Sequence, residues 1–117
     1  MVELNLGGKV RGLRFGNYAL MTYNTLTNTE ALAVKEITEE YEYIDFVRDI
    51  IYCGLKAQCK VKNEITDFTL EDVTGWVDEM DLGNIEVVVL AWKNAIQSSD
   101  FVKKNLEALG VDGEKKK

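Results

Sequence analysis

The residues best equipped for chemistry are six carboxylates, Glu36, Glu39, Glu40, Glu42, Asp45 and Asp49, clustered in one short stretch. Carboxylates this close can form an acid–base pair or an oxygen-rich site for a hard cation. Either use requires burial or a cleft that shifts their pKa values. No apolar enclosure is visible around them in the sequence, so a solvated helix face is the expected reading.

Cys53 and Cys59 are six residues apart on one helical pattern. That spacing places them about 240° apart round the axis, too far for a disulfide, and reads as two reduced structural thiols. Histidine is absent. Its absence removes the commonest general base and every Ser-His or Cys-His nucleophile. Gly7-Gly8-Lys9-Val10-Arg11-Gly12 has glycines suited to cradling phosphate but lacks the Gly-Lys-Ser/Thr ending, and it opens no helix. It reads as turn chemistry. No residue is therefore assigned a catalytic, cofactor-binding or metal-ligating role, and no cofactor is expected.

Two groups remain as interface candidates. Lys9, Arg11 and Arg14 form a basic edge on an otherwise acidic chain, which suggests head-to-tail self-association as readily as an ordinary charged strand face. Trp76 and Trp92, the two tryptophans, are either anchors for a partner or core residues at helical spacing.

The element that positions the basic edge is an N-terminal β-hairpin, residues 1–16. Val2, Leu4 and Leu6 alternate with Glu3 and Asn5, and Gly7-Gly8 supplies a reversal. In the return strand Val10 falls out of register with Leu13 and Phe15. A bulge at Arg11-Gly12 after a three-residue loop would pair Leu6 with Val10, Leu4 with Leu13 and Val2 with Phe15, all on one face. Two strands are marginal in water, so that face needs covering by a helix or a partner.

Helices are expected thereafter. Asn17 caps one over about 18–26, and a weaker pattern follows at 30–37. The clearest helix covers about 42–59, where Gly54 in mid-helix implies the close crossing of another helix. Residues 60–67 read as a loop, Thr69 caps a helix over about 70–79, and Asp81-Leu82-Gly83-Asn84 ends it. Ile85 to Ile96 keeps helical spacing through the β-branched run Val87-Val88-Val89. Ser99 or Asp100 caps a last helix to Leu109, closed by Gly110. The fold class is α+β, mainly α: a hairpin followed by a bundle of about five helices. Residues 1–110 form one globular domain (1–16 hairpin, 17–110 helical) and 111–117 a disordered charged tail.

With 14 basic and 20 acidic residues the 117-residue chain carries a net charge of −6, which disfavours nucleic acid as a partner. No apolar run reaches the roughly 18–20 residues of a membrane span, and no signal region opens the chain, so a cytosolic protein is expected.

The order of these features resembles the tail assembly chaperones of long-tailed bacteriophages. The resemblance covers roughly residues 2–98. It rests on the hairpin ending in Leu13-Arg14-Phe15-Gly16, the helix from Asn17 to Leu26, the segment Arg48-Asp49-Ile50-Ile51-Tyr52-Cys53-Gly54-Leu55-Lys56, then Thr69-Leu70-Glu71-Asp72-Val73 and a final amphipathic pair. The stretch from Tyr52 to Lys56 followed by the Thr69-capped helix is its most specific part. The resemblance implies an assembly factor with no enzymatic activity. Such a factor coats the tape measure protein, keeps its helices soluble, helps recruit the tail tube protein in the host cytoplasm, and is absent from the mature virion. It also implies a longer frameshifted form, and the terminal Lys115 to Lys117 would fit one, since consecutive lysine codons are A-rich. A small structural virion subunit, in the tail or the head–tail connector, and a non-viral helical adaptor are the competing expectations.

Overall fold

The computed structural model describes residues 1–27 and 43–98. Two strands, β1 (Val2–Leu6) and β2 (Lys9–Leu13), precede four helices: α1 (Asn17–Thr27), α2 (Tyr43–Lys62), α3 (Leu70–Asp78) and α4 (Leu82–Ser98). The chain is thus mainly helical with an N-terminal antiparallel hairpin. Among the described residues there are four helices, where about five were expected for the chain. The patterns at 30–37 and 99–109, and the tail 111–117, lie outside the described residues.

The hairpin register differs from the one expected. Val2 pairs with Leu13, Glu3 with Gly12, Leu4 with Arg11, Asn5 with Val10 and Leu6 with Lys9, with no bulge. The turn contains two residues, not three, because both Gly7 (φ 64°) and Gly8 (φ 86°) take positive φ, as the turns that match strand twist require. Two consequences follow. Val10 faces outward and is exposed, while Arg11 joins Leu4, Leu6 and Leu13 on the inner face.

That inner face is covered by the chain's own helices, and α2 is the central post, touched by α1, α3, α4 and β2. Val47, Ile50, Ile51, Cys53, Leu55 and Ala57 of α2 are buried, so its middle is enclosed on more than one side. Gly54 permits a close approach, as its position suggested, but the neighbour is the exit of β2 and not another helix. A Cβ at Gly54 would lie 2.6 Å from Phe15 Cε1 and 3.1 Å from Leu13 Cβ. The carbonyl of Gly54 also accepts the Arg14 amide at 3.1 Å, fixing strand to helix through main chain.

The helix ends follow local chemistry. α2 runs to Lys62, three residues beyond the expected Cys59, and closes without glycine. Asn63 takes φ 57°, the Glu64 amide donates to the Cys59 carbonyl (2.8 Å) and the Asn63 amide to Lys60 (3.3 Å), the paired bonds of a Schellman ending. α3 opens on a full capping box: the Asp72 amide donates to Thr69 Oγ1 and the Thr69 amide to the Asp72 carboxylate. Asp81 lies between the two last helices and starts the second, its carboxylate accepting the Asn84 amide at 2.8 Å. Val87-Val88-Val89 is helical: Val88 and Val89 are buried and Val87 is exposed.

Candidate functional site: the anchored hairpin tip and the grooves beside it

Arg11 organises the hairpin tip. Its Nε donates to the Leu6 carbonyl at 2.8 Å, and its Nη1 donates to Asp67 Oδ1 at 2.8 Å. The guanidinium lies 4.6 Å from the Trp76 ring centroid and 5.8 Å from that of Phe68. Only 10% of the side chain is exposed. A guanidinium is more weakly hydrated than an ammonium and stacks on aromatic faces, which is why arginine can occupy this inner-face position. Lys9 reaches the other Asp67 oxygen at 3.0 Å. Donation from Arg11 and then from Lys9 holds the Asp67 carboxyl down at about 2.

Aromatic contacts extend the anchor inward. Phe68 lies 6.3 Å from Trp76 and meets Tyr52 of α2 edge-on at 5.9 Å. The turn rests on the same indole, because a Cβ added at Gly7 would collide with the Trp76 ring.

The five expected interface residues therefore divide. Lys9, Arg11 and Trp76 come together at the tip, Arg14 Nε donates to Gln58 Oε1 on α2 at 3.0 Å, and Trp92 is core. Trp92 lies between Phe15 (5.4 Å, edge-on) and Tyr23 of α1 (5.1 Å). Sequence reasoning missed Asp67 and Phe68. Both occupy a stretch read as loop or loop edge, and no periodicity marks a loop residue that reaches back to a strand fifty-six positions away.

The carboxylate stretch also differs in one place. Asp49 is buried, not solvated, and Arg48 encloses it: Nε and Nη2 approach Asp49 Oδ1 at 2.9 and 2.8 Å, and Nη1 reaches Asp45 at 3.5 Å. Glu36, Glu39, Glu40 and Glu42 lie outside the described residues. Burial, reinforced by the Asp49 charge, pushes the Cys53 thiol far above its ordinary range. Cys53 and Cys59 are both free thiols. A thiol this hard to ionise is a poor nucleophile and packs as a small hydrophobe.

Three open grooves border the hairpin, of about 320, 290 and 200 Å³. Pockets that bury small molecules enclose most of the ligand, whereas these grooves are open on one side and suit contact with a macromolecule better. No group of three or more His, Cys, Asp or Glu able to hold a metal ion occurs among the described residues. No described helix is long and apolar enough to cross a membrane.

The outer side of α4 presents Leu82 (67% exposed), Val87 (49%) and Leu90 (59%), and Ile65 in the α2–α3 connection is 90% exposed. Comparisons with protein-family models, with curated proteins and with solved structures return no match.

Proposed function

We propose that the protein is a tail assembly chaperone of a long-tailed bacteriophage, which holds helices of the tape measure protein in solution and assists tail tube polymerisation in the host cytoplasm. The observation that carries this reading is the outer side of α4, where Leu82, Val87 and Leu90 are exposed on one helix. Large aliphatic side chains exposed together are the kind of surface that receives the apolar side of an amphipathic helix. The net charge of −6 keeps such a complex dispersed. The order of hairpin, helices and the Tyr52 to Lys56 segment supplies the family resemblance.

The hairpin's role in this reading is internal. Lys9 and Arg11 are paired with Asp67 of the same chain, so the client surface is assigned to the helices and not to the basic edge. Co-expression with the adjacent tape measure gene tests the proposal: the client becomes soluble and copurifies. A client that stays insoluble, or stoichiometric amounts of this chain in purified virions, overturns it, and the second result points to a structural subunit.

A further inference from the structure

Leu82, Glu86 and Leu90 follow one another at helical spacing along the exposed side of α4, with Val87 beside them. The apolar strip therefore carries a carboxylate at its middle. More acid stands at its start, where Asp78 and Glu79 end α3 and Asp81 opens α4. Asp78, Glu79 and Glu86 are exposed, and none forms an ion pair with a described residue. Acids elsewhere differ: Asp45 and Asp49 meet Arg48, and Asp67 meets Lys9 and Arg11. Between Lys62 and Lys93 the sequence holds no lysine or arginine that could neutralise the strip. Asp78 and Glu79 also sit at the carboxyl end of α3, whose last turn carries no base and where the helix dipole disfavours negative charge.

We propose that the segment docking on α4 is a basic amphipathic helix, its apolar side on Leu82, Val87 and Leu90 and its lysines or arginines against Asp78, Glu79 and Glu86. The proposal rests on the reading of α4 as the client side and adds the chemistry of the client. Apolar burial alone accepts any amphipathic helix. Unpaired carboxylates around the strip repel an acidic helix and attract a basic one, so charge supplies the selection that the leucines lack. A cation arriving at Asp78 and Glu79 also relieves the unfavourable charge at the end of α3. Lys93 stands at the far end of the strip, one turn beyond Leu90. The contrast sets direction as well: the client's basic end lies over the start of α4.

The test uses the full chain and two synthetic amphipathic helices with the same leucine side, one flanked by lysines and the other by glutamates. The lysine peptide should bind at least about tenfold more tightly by calorimetry, and the difference should shrink as salt is added. Asp78→Asn combined with Glu86→Gln should weaken it roughly threefold or more, as the loss of two exposed pairs predicts. Glu3→Gln combined with Glu64→Gln removes the same charge beside β2 and should leave binding unchanged. Leu82→Asp combined with Leu90→Asp should abolish binding although it adds negative charge. Equal binding of both peptides, lost in the Leu82 and Leu90 variant, overturns the basic client and leaves α4 as the docking side. Equal weakening by the two charge-removing variants also overturns it, since the attraction then belongs to net charge. Binding of neither peptide, or binding that survives the Leu82 and Leu90 variant, overturns the reading of α4 itself.

Discussion

At its tip the hairpin is held by a stacked guanidinium, an ion pair and an indole under a glycine turn; at its exit it is held by close apolar packing of Leu13 and Phe15 on Gly54. The tip is half-solvated and directional; the exit is steric, with Leu13 fully buried and Phe15 partly so. Packing of the second kind tolerates almost no change in volume, because surrounding atoms already touch. The first kind can lose one partner and keep others.

The largest effect should therefore come at the exit. Gly54→Leu adds a side chain where even Cβ lies 2.6 Å from Phe15, and should cost about 3 kcal/mol by overpacking, read as a lower urea midpoint. An unchanged midpoint would mean that β2 does not lie on α2. At the tip, Arg11→Met keeps the aliphatic stem but removes the stacked cation and its ion pair. It should cost roughly 1–2 kcal/mol, more than Lys9→Met, whose exposed pair is worth at most about 1. Equal losses would erase the distinction between the two cations.

Thr69→Ala removes half of the capping box below the tip and should cost about 1 kcal/mol. The smallest effect is a pH dependence. Asp67 has a folded pKa of about 2 against an ordinary 3.8, so its contribution is full above pH 3.8 and is lost as pH falls through about 2. The stability difference between wild type and Asp67→Asn should be present at neutral pH and vanish across that acid window.

The contrast between exit and tip also explains how much was legible in sequence. Alternation, the Gly-Gly reversal, the α2 stripe and the Thr69 cap are local signals, and the hairpin, the helices and the capping box appear where those signals lie. The register did not follow, because pairing apolar with apolar favoured a bulge, whereas the double positive φ of Gly7 and Gly8 fixed a two-residue turn and turned Val10 outward. The sequence places Arg11 on a basic edge because nothing local announces Phe68, Trp76 and Asp67 as its surroundings. The sequence suggests a solvated Asp49 for the same reason. Its neighbour Arg48 neutralises it, and the apolar side of α2 draws both inward.

The central claim is that partner contact belongs to the exposed side of α4 and not to the hairpin's cations. Pull-down of the co-expressed tape measure protein by variants of matched stability tests it most directly. Leu82→Asp combined with Leu90→Asp should abolish copurification, while Lys9→Gln combined with Arg14→Gln should retain it. Retention by the α4 variant together with loss by the hairpin variant would contradict the account.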